Sequence, residues 1–341
     1  MKVLIVCSKN SGHIAPFILE QAKAIERTGV EIEFYSVEGK GFWGYLKNRK
    51  AMLAKIKTFQ PALIHAHYGL SGLLANTQRR IPVVTTYHGS DINNKKVYPF
   101  SRLNMILSAH NIFVSKNITP IPIAPDSYRD GIPKPLSSAI GRILSPTGER
   151  QRKNSFRDLR RVKQSLIPCG INTLLFIPGD KQNARKALGM DTAKKYILFA
   201  GAFHVNVKNP VLAKAAVALL PTVELIELNG YRREQVVLIL HAVNVVLMTS
   251  FTEGSPQIIK EALACNCPVV SVPVGDVPST IEDIPGCYIT SYEPDDIAVK
   301  LQLALDFGRL TEGRKKIEAL GLDAESVAGR ILEVYKEVLS L

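Results

Sequence analysis

Short apolar runs separated by polar turns recur along the chain, and segments with helical periodicity lie between them. Residues 3–6 and 243–248 are continuous apolar runs with the length of a buried strand. Residues 14–28 and 257–264 instead repeat apolar side chains every three or four positions. Strands that alternate with helices are typical of βαβ units and parallel sheets. The pattern therefore predicts an α/β fold with two doubly wound, Rossmann-like domains.

This alternation extends over most of the chain. The turn after the first strand contains a single glycine, so the G-x-G-x-x-G dinucleotide fingerprint is missing. The predicted strands cover residues 3–6, 30–37, 62–67, 82–88, 112–115, 196–201, 223–228, 243–248, 269–272 and 286–289. The predicted helices cover residues 14–28, 46–59, 211–220, 233–242, 257–264, 295–307 and 323–339.

Residues 118–163 interrupt the pattern, because they are rich in Pro, Ser and Arg and only weakly periodic. Order resumes at residues 165–171, which indicates a domain junction. We predict a first domain at 1–166 that contains this irregular basic segment and a second at 167–324, with the helix 325–341 as a candidate to pack back onto the first.

The charge of the chain is uneven. Residues 1–170 contain 26 of the 43 Lys and Arg and 10 of the 30 Asp and Glu, a net charge of +16, whereas the remainder carries −3. A basic first half indicates an anionic membrane surface or a phosphate-bearing acceptor. Nucleic acid is the competing partner, but no zinc-finger, helix-turn-helix or RNP-like motif accompanies the basic residues. We expect no nucleic-acid partner.

The composition indicates the cellular compartment in which the protein is expected. No apolar run approaches the ~20 residues of a membrane-spanning helix, and the first apolar run is too short for a signal peptide. Five cysteines without paired spacing predict reduced thiols and a cytoplasmic protein. Cys265 and Cys267 resemble half of a metal site, but core thiols are the simpler interpretation. We expect a cytoplasmic protein, peripheral at the inner membrane face if the basic half binds lipid.

The predicted helix 46–59 is basic and amphipathic, and the aromatic residues Phe42, Trp43 and Tyr45 precede it. Basic residues beside aromatic ones are typical of surfaces that bind anionic lipid headgroups. An ordinary solvated helix face explains the same pattern equally well.

The loop that follows strand 243–248 carries the strongest chemical signal. Glu253 lies in this loop at the carboxyl end of the strand, and Glu261 lies in the helix that follows. In an open α/β sheet ligands bind at that edge. The backbone N–H groups of residues 254–257 begin the helix and favour an anion such as a diphosphate. The alternative is that both glutamates are merely solvated.

Histidines cluster at the ends of two other predicted strands. His65 and His67 end one strand, with Tyr68 after them, and His88 ends the next, with Asp91 after it. Parallel strands bring their carboxyl ends to the same edge, so the three rings are expected to converge there. A metal site is disfavoured, because no carboxylate or cysteine accompanies them at ligand spacing.

Taken together, these motifs resemble the retaining glycosyltransferases of family 4, which have the GT-B architecture of two Rossmann-like domains that face each other across a cleft. The resemblance covers nearly all of the chain outside residues 118–163, which replace a region that usually holds a regular helix. Two interpretations stay open for these residues, an acceptor-binding insertion or a damaged or frame-altered stretch. The matching segments are residues 3–27, 64–69, 86–91, 166–172, 201–210 and 253–270. It implies transfer of a sugar from a UDP- or GDP-sugar to a glycan or lipid-linked acceptor. The expected role is in surface polysaccharide biosynthesis.

The resemblance also implies roles for single residues. Glu253 would hold the sugar hydroxyls, Glu261 the nucleotide ribose, and Lys208 the leaving phosphate, while His88 would lie beside the reacting sugar. The diphosphate would lie against the first turn and the loop, and the base near the turn that follows strand 223–228. The expected donor-binding residues are Gly12, His13, Gly230, Tyr231, Gly254, Ser255, Pro256, Gln257 and Glu261, and the acceptor-side candidates are His65, His67, Tyr68 and Asp91.

One departure from the family pattern concerns phosphate binding. Many members have an arginine directly after the glycine that corresponds to Gly201, and here Ala202 takes that place. No Asp-x-Asp follows a predicted strand, so we expect no metal and no cofactor other than the nucleotide-sugar co-substrate. Two alternatives stay open: a GT-B protein that only binds sugar nucleotides or assists a partner, and a sugar-nucleotide epimerase.

Overall fold

The computed structural model describes residues 1–116 and 162–341. It divides into two units, of which the first comprises Met1–Ile167 with Ala328–Leu341 and the second comprises Pro168–Val327. The segment 118–163, for which two interpretations were open, lies outside the described residues except for its last two. Within the part described, no helix is both long and apolar enough to span a membrane.

The first unit is built on a parallel sheet of six strands in the order β2-β1-β3-β4-β5-β6. Its described elements in chain order are β1 (Lys2–Ser8), α1 (Pro16–Glu26), β2 (Glu31–Val37), α2 (Gly41–Leu46), α3 (Arg49–Phe59), β3 (Leu63–His67), α4 (Gly69–Asn76), β4 (Val83–Tyr87), α5 (Ser90–Asn93), α6 (Tyr98–Leu107), β5 (His110–Phe113) and β6 (Gln164–Leu166).

The second unit is built on a parallel sheet of five strands in the order β11-β10-β9-β7-β8. Its elements are α7 (Lys181–Leu188), β7 (Lys195–Phe199), a 3₁₀ turn (Asn206–Lys208), α8 (Pro210–Ala218), β8 (Val223–Glu227), α9 (Arg233–Ala242), β9 (Val245–Met248), α10 (Gln257–Ala264), β10 (Val269–Ser271), α11 (Val277–Ile281), β11 (Tyr288–Ile289), α12 (Pro294–Phe307) and α13 (Gly313–Ala319). The last helix, α14 (Ala324–Leu339), contributes its residues from Ala328 onward to the first unit.

Both sheets are buried on their two faces, which explains the continuous apolar runs of their central strands. In β1, Leu4 and Val6 join one apolar cluster, and Ile5 and Cys7 join another on the opposite face. Strands β7 and β9 of the second unit alternate between two clusters in the same way. The structure therefore confirms the predicted α/β class with two doubly wound domains.

Turn chemistry sets the ends of several helices. Helix α1 begins with Pro16 at its first position and ends before Gly29, whose φ of +86° suits glycine. Helix α7 is capped by Asp180, whose side chain accepts a hydrogen bond from the Asn183 N–H at 2.7 Å, and it ends at Gly189 in the left-handed conformation.

The predicted helix 46–59 is wrong in its extent, because the structure contains α2 and α3 in its place. Asn48, between them, donates from its side-chain amide to Glu38 O and Gly44 O at 2.9 Å each and lies 3.2 Å from the Tyr35 hydroxyl. These contacts join Asn48 to Tyr35 in β2, to Glu38 just after that strand and to Gly44 in α2, and helical periodicity alone does not reveal them. The other helices that were not predicted are α4, α5, α6, α7, α11 and α13.

Candidate functional site

In the second unit, the loop from β9 to α10 folds closely against the loop after β10. Gly254 and Pro256 are buried, and α10 begins at Gln257 with no side chain capping its N-terminus. Gly275 has a φ of +59°, and a Cβ atom there would lie 2.6 Å from Gly254 O. Only glycine therefore allows this approach, which orients the backbone N–H groups at the start of α10.

Glu253 and Lys208, which were predicted separately, form an ion pair. Lys208 Nζ donates to Glu253 Oε1 at 2.6 Å, and the two side chains are 25% and 16% exposed. Thr249 Oγ1 donates to Lys208 O at 3.0 Å, which holds the 3₁₀ turn against the end of β9. Gly201 makes room for the lysine, since a Cβ there would lie 2.7 Å from Lys208 Cγ. A cation and a carboxylate thus lie together at the edge where a ligand would enter.

Glu261 is 2% exposed and pairs with Arg233 at the start of α9. Arg233 Nη1 donates to Glu261 Oε1 at 2.6 Å, and its guanidinium lies 4.7 Å from the centre of the Phe176 ring. Arg233 was not among the predicted residues. The two residues are 28 positions apart, and no local pattern in the sequence connects them.

Ser255 belongs to a buried network behind the loop. Its hydroxyl donates to Asp276 Oδ2 at 2.6 Å and accepts a hydrogen bond from Lys260 Nζ. Lys260, 1% exposed, also donates to Cys169 O at 3.0 Å and lies 3.2 Å from Asp276 Oδ2. The hydroxyl of Ser255 is therefore occupied, and its backbone N–H is the group left for a ligand. Lys260 and Asp276 were also missed from the sequence.

The other predicted donor residues lie in turns. Gly230 has a φ of +76° and Tyr231 is 42% exposed, and both precede α9, which carries Arg233. In the first unit, Gly12 has a φ of +88°, its N–H donates to Lys9 O at 2.9 Å, and His13 beside it is exposed.

His88 of the first unit is held between aromatic rings. Its ring centre lies 5.0 Å from that of Phe17, 4.6 Å from that of Tyr68 and 5.2 Å from that of His67. Its Nε2 atom lies 3.0 Å from His67 Nδ1. Burial lowers the pKa of His88 to about 3, with a further lowering by His65, so the ring is neutral at neutral pH.

His65 and His67, two of the residues predicted on the acceptor side, lie in the interior of the first unit. They are 0% and 1% exposed. His65 lies 2.6 Å from the Tyr335 hydroxyl through Nδ1 and 2.8 Å from Thr86 Oγ1 through Nε2. Burial lowers the pKa of His65 to about 3 and that of His67 well below its ordinary value. Both rings are internal groups of the unit.

The other two acceptor-side candidates, Tyr68 and Asp91, line a cavity of about 400 Å³ within the first unit. Tyr68 has φ +72° and ψ 149°, a strained conformation for a residue with a Cβ and one that is typical of functional sites. The polar side chains that line the same cavity are Ser8, Asn10, Ser11, Ser90 and Asn94. Hydroxyl and amide groups of this kind suit a polyhydroxylated ligand.

Asp91 maintains the shape of this cavity. Its carboxylate accepts hydrogen bonds from the backbone N–H groups of Gly69, His88 and Gly89 at 3.0–3.1 Å. Burial raises the pKa of Asp91 to about 6, although these hydrogen bonds act in the opposite direction. The residue thus joins the turn after β3 to the turn after β4.

A second, apolar pocket of about 30 Å³ shares Tyr45 and Leu70 with the polar cavity. Its other apolar lining residues are Phe42, Leu46, Leu73, Leu74, Leu103 and Leu107. Phe42 stacks on Phe100 at 5.2 Å and contacts Trp43, which is 65% exposed. The first unit thus presents a polar cavity next to an apolar pocket.

The structure also shows the state of the two cysteines that resembled half of a metal site. Cys265 and Cys267 are free and buried, and burial raises the pKa of Cys265 to about 12. Across residues 1–116 and 162–341, no group of three or more His, Cys, Asp and Glu side chains is arranged to hold a metal ion.

Two family models match the chain. The one described as Glycosyltransferase Family 4 covers residues 2–119, and the one described as Glycosyl transferases group 1 covers residues 222–306. A D-inositol 3-phosphate glycosyltransferase of Mycolicibacterium gilvum is 25% identical over 75% of this chain and 61% of its own length. The chain therefore spans about three fifths of the length of this curated relative.

Solved structures share the fold. The sucrose-phosphate synthase of Thermosynechococcus elongatus superposes with a TM-score of 0.72 at 17% identity, covering 99% of both chains. The HepE protein of Anabaena, solved in complex with UDP, superposes with a TM-score of 0.65 at 14% identity, covering 99% of this chain and 100% of its own.

Proposed function

Since the chain belongs to glycosyltransferase family 4, we propose that it transfers a sugar from a nucleotide-sugar to an acceptor with retention of anomeric configuration. The observation that carries the proposal is the Lys208–Glu253 pair at the carboxyl end of β9, beside the N-terminus of α10. A nucleotide-sugar carries a diphosphate for the lysine and the helix N-terminus and sugar hydroxyls for the carboxylate.

In the proposed mechanism the protein stabilises the charge of the leaving group and holds the sugar in position. Lys208 and the N–H groups of residues 254–257 stabilise the departing diphosphate, and Glu253 fixes the sugar hydroxyls. The acceptor attacks from the face that the diphosphate leaves, through an oxocarbenium-like state. Arg233, paired with Glu261, is a candidate for the cation that stands in for the arginine missing after Gly201. No metal is required in this scheme, so EDTA should leave transfer unchanged.

We propose a uridine or guanosine nucleotide as the donor, with uridine favoured because HepE was solved with UDP. Glu261, nearly buried and held by Arg233, is suited to bind the two ribose hydroxyls. The turn with Gly230 and Tyr231, next to Arg233, would receive the base.

The donor site is tested by a pair of isosteric variants measured with UDP and with UDP-sugars. Glu261→Gln should weaken UDP binding roughly tenfold or more, since a charge-assisted hydrogen bond contributes about 1.5–3 kcal/mol. Glu253→Gln should leave UDP affinity intact but lower turnover about 10²-fold, because UDP lacks the sugar that Glu253 binds. Glu224→Gln, which breaks the exposed pair with Lys194, is the control.

The outcome separates the remaining alternatives. UDP binding without transfer to any glycan or lipid-linked acceptor would favour a sugar-nucleotide-binding accessory protein. Release of an altered sugar nucleotide without an acceptor would favour an epimerase. Equal and negligible effects of both glutamate variants would remove the donor-site assignment.

For the acceptor we propose a lipid-linked glycan at an anionic membrane surface, in surface polysaccharide biosynthesis. The polar cavity suits a sugar, and Trp43, exposed beside the pocket-lining Phe42, suits contact with a lipid surface. Arg49 places a cation beside the pocket, because its Nη2 atom donates to O of the pocket-lining Thr77 at 3.4 Å. Exposed Lys47, Lys95 and Lys96 add positive charge to the same unit.

Liposome binding tests the membrane proposal. The wild-type protein should sediment with anionic vesicles at low salt but not at high salt, since the Debye length falls from about 10 Å at 0.1 M to 3 Å at 1 M. Trp43→Gln should reduce sedimentation, whereas Val211→Gln, at a residue 77% exposed in the second unit, should not. Equal sedimentation of both variants would contradict a docking role for Trp43.

A further inference from the structure

Three imidazole rings form a row inside the first unit. His65 stacks on His67 with ring centres 4.6 Å apart, and His67 stacks on His88 at 5.2 Å. His67 Nδ1 lies 3.0 Å from His88 Nε2, whereas His67 Nε2 is buried and has no hydrogen-bond partner among the described residues. Of the two ring nitrogens of His67, only Nδ1 is thus hydrogen-bonded within the described part of the chain.

This asymmetry determines where the protons lie. A neutral imidazole has one N–H and one bare nitrogen. If the proton of His67 were on Nε2, a buried N–H group would have no acceptor, and such orphaned donors are rare in folded proteins. The proton therefore lies on Nδ1 and points at His88 Nε2. His88 Nε2 then accepts, and the proton of His88 lies on Nδ1.

We propose that His67 is a positioning residue that holds His88 in the Nδ1–H tautomer and in a fixed ring orientation for sugar transfer. The inference rests on the proposed function, which gives His88 its place beside the reacting sugar. His67 does not touch the substrate, because its ring is fully buried. Its effect on the reaction passes through the hydrogen bond to His88.

The surroundings keep the pair neutral and in place. Phe17 and Tyr68 pack against His88, and Asp91 fixes its backbone by accepting from the His88 N–H at 3.1 Å. His65, on the other side of His67, is held by Tyr335 and Thr86. Burial depresses the pKa of all three histidines, so no member of the row carries a charge at neutral pH. His88 accordingly acts as an oriented neutral group and not as a cation.

Three substitutions of His67 separate its hydrogen bond from its volume. In His67→Asn the side-chain amide N–H replaces Nδ1–H and can still donate to His88. In His67→Gln the amide reaches the position of Nε2 instead, and His67→Phe keeps the ring but has no donor. Each variant is measured in the full-length protein for kcat and donor KM, and for UDP affinity.

We expect His67→Phe and His67→Gln to lower kcat about 10²-fold, because a misplaced group near the reaction costs about this much. Donor KM and UDP affinity should change less than twofold, and His67→Asn should retain kcat within about threefold of the wild type. A purely structural role would instead lower all variants alike or raise donor KM together with the fall in kcat. Either of these results overturns the proposal.

A second measurement does not depend on activity. Protein labelled with ¹⁵N at its seven histidines shows by long-range ¹H–¹⁵N correlation which ring nitrogen carries each proton. The wild type should show His88 as the Nδ1–H tautomer, assigned by its loss in His88→Asn, and His67→Phe should convert it to a mixture of tautomers. An Nε2–H tautomer of His88 in the wild type contradicts the inference, even if the protein proves inactive as a transferase.

Discussion

At the scale of single residues, the charged groups of the candidate site are held in pairs. Lys208 pairs with Glu253, and Arg233 pairs with the nearly buried Glu261. A buried charge without a partner is strongly destabilising, so each pair compensates the charge of its members and orients their side chains. A ligand that brings both anionic and hydroxyl groups can replace each partner in turn. The site is therefore selective for a molecule with both kinds of group.

The row of His65, His67 and His88 predicts that the protein loses stability in mild acid. Their folded pKa values lie below the ordinary value of 6.5, so the unfolded state binds more protons as the pH falls from 6.5 towards 3. Each group removes about 1.4 kcal/mol of stability per pH unit in that window. Asp91 acts in the opposite direction, because its folded pKa of about 6 exceeds the ordinary value of 3.8.

Urea unfolding at pH 7, 6 and 5 measures the net effect, which we expect to be about 2–3 kcal/mol per pH unit below pH 6.5. His67→Phe removes one titrating ring, so its slope should be smaller by about 1.4 kcal/mol per pH unit. His204→Gln, at an exposed histidine, should leave the slope unchanged. Identical slopes in the wild type and in His67→Phe would contradict this account of the cluster.

At the scale of elements, the donor loop depends on what lies behind it. The β9–α10 loop contacts the loop after β10 through backbone atoms at Gly254 and Gly275. Lys260 on α10 then connects this loop to Asp276 and to Cys169 O. Two loops and a helix are thus joined into one rigid support, which preorganises the N–H groups for an anion.

Gly275→Ala should disturb this support. The new Cβ would lie 2.6 Å from Gly254 O at a φ of +59°, so the variant should lose about 1–3 kcal/mol of stability and bind UDP more weakly. Gly189→Ala is a matched control, because its φ is +66° but no atom lies within 4 Å of its Cβ. Gly189→Ala should lose stability through backbone strain, as measured by urea unfolding. It should bind UDP as tightly as the wild type, as measured by calorimetry. Equal UDP affinity in both variants would argue against the contact.

Lys260→Met should cost about 3–5 kcal/mol, because it leaves Asp276 without its buried cation. Removing Asp276 as well, in Lys260→Met with Asp276→Asn, should restore part of that loss, and the double-mutant cycle gives the coupling. Lys315→Met breaks an exposed pair with Glu312 and should change stability by less than about 0.5 kcal/mol. If the stability losses of the two buried substitutions are additive, Lys260 and Asp276 do not interact.

At the scale of the whole molecule, two units with separate cores carry different charges and chemistry. The basic first unit contains the histidine row and the polar cavity, and the second contains the proposed donor site. Each sheet is covered on both faces by its own apolar clusters. A ligand that binds one unit is therefore expected to stabilise that unit in particular.

UDP at about 100 times its Kd should stabilise the second unit by about 2.7 kcal/mol. Trp43, the single tryptophan of the chain, lies in the first unit, so its fluorescence follows the unfolding of that unit. Circular dichroism reports the unfolding of both units. We therefore expect UDP to raise the unfolding midpoint measured by circular dichroism more than the midpoint measured by Trp43 fluorescence. Glu261→Gln should abolish the difference, and equal shifts by both probes in the wild type would contradict it.

The sequence by itself determined the fold class and the positions of the reactive loops. Apolar runs such as residues 243–248 predict strands because a parallel strand buried on both faces needs a continuous apolar surface. The Glu253 loop then follows from chain order, since it comes directly after such a strand. The helices next to Asn48 were misjudged, because the Asn48 side-chain amide donates to Gly44 O near the end of the first of them and periodicity does not report such a contact.

Only the tertiary structure decided which side chains meet. Arg233 and Glu261, like Lys260 and Asp276, are separated in sequence and come together because the parallel strands of one sheet bring their loops to the same edge. The burial of His65 and His67 was equally hidden, because it depends on α14 and on Tyr335, 270 positions after His65. Local patterns report the propensity of each segment, whereas pairing and burial depend on the packing of segments far apart in the chain.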